Sequence, residues 1–253
     1  MIAAMLALSL VQSPGAPPAQ RYRLEVKTLR EFDQTSIGRA KTADGLTTAA
    51  FITVAMTDTA GGQIARVTVD SMTLSPSGAV VAELQQHPKA AEKARGAWVR
   101  VYVSRGTLAG PAQLSDSTNP ALGAIVQAVG VLFPGVRRGA KVGDSWADTS
   151  HINNASGARK QSGEVVAAWK VIAMDGDALV LDGTSTTRTK TEDGSGQSMV
   201  VSGGTKERVV VPPTGPARRA SIETANDMTV TAPSLAAPIP GKTTGTLTLT
   251  PLP

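Results

Sequence analysis

The chain has 253 residues, no cysteine, three Trp, two Tyr and three Phe, and 25 basic against 20 acidic residues, for a formal charge of +5. The lack of cysteine excludes both a disulfide framework and a lipid-modified N-terminal cysteine, so burial alone must hold the fold, for which this length suffices. So few aromatics leave little for the stacking platforms that bind sugars or single strands, and nucleic acid is not an expected partner; the basic excess favours anionic surroundings.

Ile2 to Val11 form an apolar run, and Pro14, Pro17 and Pro18 come directly after it. Residues 1–19 read as an export signal. No Lys or Arg precedes Arg21, so the basic flank is missing and the start reads as truncated. The run is shorter than the ~20 apolar residues of a membrane span, and no other stretch qualifies. The expectation is a soluble protein of the periplasm or extracellular space, with residues 20–253 as one β-rich domain whose halves meet near 115–143.

Period-2 alternation dominates the chain from Gln20 onward. Tyr22, Leu24 and Val26 alternate with charged residues, and Ile52, Val54 and Met56 form a second half-buried strand. Val67 and Val69 lie in one phase and Met72 and Leu74 in the other, so a bulge is expected near Asp70-Ser71. Pro76-Ser77-Gly78 reads as a turn into a strand over Ala79–Leu84. Pro88 to Arg95 reads as a short helix ended by Gly96. Strands are expected at Trp98–Ser104 and Thr107–Leu114.

A second helix runs from Pro120 to about Leu132. Asn119 caps it with Pro120 in the first position, and Pro134-Gly135 ends it. Only Gln127 is polar, and a helix apolar all round is buried. Beyond it the chain is almost all strand: Trp146–Asn153, Arg159–Met174, Ala178–Lys190, Ser198–Ser202, Thr205–Val211, Arg218–Thr231 and Thr243–Thr250. Asp175-Gly176 is a hairpin signal, and Gly203-Gly204 reads as a further turn.

The fold class is therefore mainly β, with eleven to thirteen antiparallel strands and two short helices. A flat sheet so wide should curl or split. A curved, half-barrel-like sheet holding the second helix against its concave face is expected; two stacked β-sandwich domains are the alternative.

Leu132-Phe133-Pro134, Val142-Gly143-Asp144-Ser145-Trp146 and Val69-Asp70-Ser71 give the chain a layout that resembles uncharacterised exported β-rich bacterial proteins. It is also similar in architecture to bacterial lipoprotein and lipid carriers, whose curved sheet and helices enclose an apolar cavity. That likeness implies a cavity lined by Leu122, Ile125, Val126, Val129 and Phe133, or the same residues filling the space as a plug.

Motifs for chemistry fail on geometry. Gly143-Asp144-Ser145 and Asp148-x-x-His151 resemble the Ser and Asp-His blocks of an esterase and lipase family. They fall in one strand here, which puts Ser145 and His151 ~20 Å apart, against the ~3 Å a Ser–His pair needs. His87 and His151 are the only histidines and lie outside any metal-ligand spacing. The doublets Arg137-Arg138 and Arg218-Arg219 read as solvated loop pairs. No catalytic residue, metal or cofactor is expected, and the oligomeric state is not specified. The expected function is a non-enzymatic binding protein that carries or senses an apolar small molecule or lipid. The alternative is a structural or interaction protein of the envelope, using an exposed edge among the Thr-rich strands Gly183–Thr191 and Thr243–Thr250.

Overall fold

The computed structural model describes residues 19–253 apart from Arg105 and Arg138, with the side chain of Ser156 also excepted. All but the last residue of the expected export signal lies outside the described residues.

Twelve strands form one antiparallel sheet. They are β1 Gln20–Phe32, β2 Thr42–Thr59, β3 Gly62–Ser77, β4 Trp98–Ser104, β5 Thr107–Leu108, β6 Gln113–Leu114, β7 Ser145–Ser156, β8 Arg159–Asp175, β9 Ala178–Glu192, β10 Ser198–Val211, β11 Arg219–Thr231 and β12 Ile239–Pro251. The spatial order is β5-β4-β3-β2-β1-β12-β11-β10-β9-β8-β7, with β6 also on β4. The sheet is open, and the two-sandwich alternative is not formed. Among the described residues three α-helices accompany it: α1 Val80–Gln85, α2 Ala90–Ala94 and α3 Gly123–Leu132.

Alternation does what the sequence predicts in the first half. Tyr22 and Leu24 of β1, Ile52 and Val54 of β2, and Val67 and Val69 of β3 are all buried. The bulge also forms: Phe51 pairs with Ser71 and Ile52 with Val69, so Asp70 is the extra residue and the inward phase passes to Met72 and Leu74. The Asp70 carboxylate accepts from Thr53 Oγ1 at 2.8 Å. The two-residue hairpin loop between β8 and β9 is Gly176-Asp177, one residue later than the predicted pair, and Asp175 faces Ala178 across it.

Several elements depart from expectation. Val80–Gln85 is helix α1, not strand. Gly78 turns the chain with φ +64°, and the Asp44 carboxylate accepts from the Ala79 N–H at 2.7 Å, so the helix is started by a residue far away in sequence. Thr107–Leu114 is two strands of two residues each, interrupted by Gly110 at φ +101°. Gly203-Gly204 makes no turn. Both lie inside β10, opposite Asn226 and Ala225. A Cβ on Gly203 would sit 2.3 Å from the Ala225 carbonyl oxygen, so glycine here permits a close approach of neighbouring backbone. The Thr-rich segments are not edges: β9 runs between β8 and β10, and β12 between β1 and β11.

The sheet curls around α3. Residues of β2 and β8, six places apart in the strand order, border a single pocket; in a flat sheet they would stand roughly 29 Å apart. A 3₁₀ turn at Pro120–Leu122 leads into α3. Asn119 Oδ1 accepts from the Ala121 N–H at 3.0 Å, and its Nδ2 donates to the Ala90 carbonyl at 3.1 Å. The cap thus also fixes α3 to α2. The helix is not buried all round: Gly123, Val126, Gln127 and Gly130 form an exposed stripe.

Candidate functional site

α3 fills the middle of the concave face and leaves space at its ends. Near its start, a cavity of about 490 Å³ lies between α1, α3 and β1–β3, lined by Leu46, Leu74, Val80 and Ala124 among others. Alongside it, about 420 Å³ opens between Gln127, Val131 and the strands β1, β11 and β12. A larger space, about 960 Å³, is at the C-terminal end of the helix. A volume of this size accommodates a drug-sized or lipid-sized ligand. A groove of about 800 Å³ also crosses the opposite face of the sheet, over Lys27, Thr47, Lys206 and Thr246. It is open, and threonines, serines and glycines make up most of its lining.

The pocket at the C-terminal end of α3 is built by long-range bonds. Leu132 and Phe133 end the helix, and Gly135 turns the chain away with φ +69°. Pro134 bridges to Thr107 of β5. The Ala217 N–H donates to the Leu132 carbonyl at 2.8 Å, satisfying an end-of-helix acceptor. In turn the Ala217 carbonyl accepts from the Tyr22 hydroxyl at 2.9 Å. Tyr22 is fully buried, and desolvation pushes its hydroxyl pKa up. One residue of the β10–β11 loop is therefore pinned to both the helix and the sheet, and the loop forms one wall through Pro213, Thr214 and Gly215.

The opposite wall is the segment between α3 and β7. Its turn is closed by Asp144, whose carboxylate accepts from the Lys141 N–H at 2.9 Å. Gly143 stands at φ +96° and donates to the Val171 carbonyl. Ser145 then opens β7, and Trp146 packs against the core. The Gly143-Asp144-Ser145-Trp146 motif is thus a turn and strand start. Met56, Val103, Leu179 and Val211 complete an apolar interior, with Met174 at the mouth. Arg137, Lys141 and Asp177 border it, all exposed. Asp177 is paired with Arg218, and Asp175 with Arg219 at 2.9 Å.

Of the five residues expected to line a cavity, Phe133 does so here. Leu122, Ile125 and Val129 are packed into the core: these three fill space, as a plug does. Val126 is 37% exposed on the open stripe of the helix. Sequence reasoning misses Met56, Met174, Arg137 and Lys141. Arg137 has a signal, a basic doublet beside Val136 and just past a buried helix, but a doublet alone does not distinguish a pocket rim from a solvated loop.

Ser145 and His151 both lie in β7. The Asp148 carboxylate accepts from its neighbour Thr149 N–H at 2.9 Å, and His151 Nδ1 is 3.7 Å from Glu164 on the next strand, both exposed. The esterase-like arrangement is not assembled. Among the described residues no group of His, Asp or Glu is placed to hold a metal.

No family model matches the chain. No curated protein matches it. Among solved structures, the crystal structure of Pseudomonas aeruginosa OccK11 (OpdR) is returned at 8% identity and a TM-score of 0.20, over 92% of this chain and 96% of that one. A likeness that weak carries no argument. Among the described residues no helix is long and apolar enough to cross a membrane.

Proposed function

We propose that this chain is a non-enzymatic binding protein that carries or senses an apolar ligand in the pocket at the C-terminal end of α3. The observation that supports this is the pocket itself: about 960 Å³ with Leu132, Phe133, Met56, Leu179 and Val211 in its walls. Wall residues come from strands at widely separated places in the sheet, so the curl that buries α3 also shapes the space. The apolar run Ile2–Val11 with its trailing prolines supports placing this activity outside the cytoplasm.

The test is titration of the purified chain with Nile red, an uncharged probe that brightens in apolar surroundings, alongside mass spectrometry of a solvent extract. Saturable brightening is expected in the parent. It should be lost in Ala140→Trp, which fills the pocket from its wall, while circular dichroism stays unchanged. A parent that does not bind the probe and yields no extractable ligand overturns the reading.

A second reading is favoured by the edge at β7. This strand is 12 residues long and pairs only with β8 among the described strands. It contains no Lys, Arg or Pro, the residues that usually blunt an edge. At the other side of the sheet, β4 is covered by the short β5 and β6. A partner protein's strand added to β7 makes this a structural or interaction component of the envelope. Photo-crosslinking from Asn153 in cells should then trap a partner; recovery of monomer alone speaks against it.

A further inference from the structure

The rim of the same pocket carries a second and separable property. Val142 is 54% exposed and Met174 51%, the two highest values among the exposed large hydrophobics of the described residues. They lie on different elements, yet both border this one opening. Arg137 and Lys141 border it too. The neighbouring acids are engaged: Asp177 with Arg218, Asp175 with Arg219, and the Asp144 carboxylate with the Lys141 backbone N–H. No ion pair of the described residues involves the side chain of Arg137 or Lys141. The opening therefore presents two unshielded apolar side chains beside two cations. Clustered exposed apolar surface marks an interaction site, and apolar residues set among basic ones suit the boundary between headgroups and acyl chains.

We propose that the mouth of this pocket docks on a lipid surface rich in anionic headgroups, with Val142 and Met174 inserted and Arg137 and Lys141 on the headgroups. The chosen partner is a bilayer rather than a protein, because the charge left unpaired beside the two apolar side chains, on Arg137 and Lys141, is of one sign. Docked in this way, the pocket opens directly onto the acyl chains, so an apolar ligand enters or leaves without crossing water. Docking rests on the rim and ligand binding on the interior, so either can fail alone.

The experiment is flotation of the full chain with vesicles of phosphatidylcholine alone and of phosphatidylcholine mixed with phosphatidylglycerol. Partition to the mixed vesicles is expected, weakening as salt is raised. A basic residue near an anionic surface is worth roughly fivefold in partition, so Arg137→Glu with Lys141→Glu should lower binding by roughly 25-fold or more. Met174→Asp and Val142→Asp should each abolish it. Arg39→Glu with Arg188→Glu, on exposed residues away from the rim, makes the same change in net charge and should leave most of the binding. Ala140→Trp, which fills the interior and stops Nile red binding, should still float with the mixed vesicles, which separates failure of docking from failure of ligand binding. Equal partition to both vesicle types, no partition to either, or equal loss in the control pair overturns the proposal.

Discussion

The two ends of the sheet's strands are built to different rules. At the end that wraps α3, one face is closed: Tyr22, Leu24, Ile52, Val54, Val67, Val99, Leu181 and Leu249 are buried against the helix and each other. At the other end the same strands carry Thr, Ser and charge. Thr184, Thr186, Arg188 and Lys190 of β9 are exposed, and the strands are held there by ladder hydrogen bonds and cross-strand contacts, with exposed ion pairs such as Lys190–Glu192 at 2.5 Å along a strand. Exposed pairs of this kind contribute ~0–1 kcal/mol each. The core end therefore sets the stability and the curl, while the polar end is an extension imposed by the register.

The largest effect that sharpens this contrast comes from α3. Leu122 is fully buried at its start, and Leu122→Ala should cost about 2–5 kcal/mol, the range for deleting a buried leucine side chain. Thr186→Ala, at the exposed end of β9, should change stability by less than ~0.5 kcal/mol. Urea unfolding of both measures the ratio. Equal losses would mean that the polar end shares the core's cooperativity.

A smaller effect is expected where the two ends meet. Gly183 faces Trp169 across the β8–β9 pair, and a Cβ on Gly183 would come within 2.4 Å of the indole ring. The ring thus lies over a site that only glycine leaves open. Gly183→Ala must move the tryptophan and should cost about 1–3 kcal/mol, as overpacking does. A red shift in tryptophan emission should accompany it. Loss of stability without a spectral change would point to backbone strain instead.

How far the sequence can be read depends on the range of the signal. Alternation at Tyr22, Leu24 and Val26 and the phase switch at Asp70 are local signals, and both elements form as expected. The boundaries of α3 are legible for the same reason, since Asn119-Pro120 and Pro134-Gly135 act within one turn. Helix α1 is not, because Val80-Val81-Ala82 suits a strand equally well, and the choice is made by Asp44 and by packing on β3. Gly203-Gly204 resembles a turn because glycine pairs usually are turns; here they relieve crowding between strands. The pocket is legible only at Phe133. Its other walls come together through the curl of the whole sheet, which no spacing encodes.

The cap of the 3₁₀ turn that leads into α3 gives the next step down in size. Asn119→Ala removes the bond to the Ala121 N–H and the donor to the Ala90 carbonyl, and should cost about 0.5–2 kcal/mol, the range for losing such a cap. Asn119→Asp keeps the acceptor and loses the donor, so its loss should be smaller. Thermal unfolding of the three proteins checks the order. If the aspartate is as damaging as the alanine, the tie to α2 matters more than the cap.

The smallest effect tests the boundary itself through pH. Glu207 pairs with Ile222 on one side and Gly183 on the other, on the same face as buried Val209 and Val211. Burial raises its pKa above the ordinary 4.5. A carboxyl with a raised folded-state pKa holds its proton longer in the folded chain than in the unfolded one. Its contribution therefore favours folding at low pH and is lost as pH rises from 4.5 through the folded value. Glu207→Gln should be close to neutral below that window. Its gain in Tm over the parent should grow across the window and level off above it. A gain that is the same at every pH would place the carboxyl in water, outside the closed end.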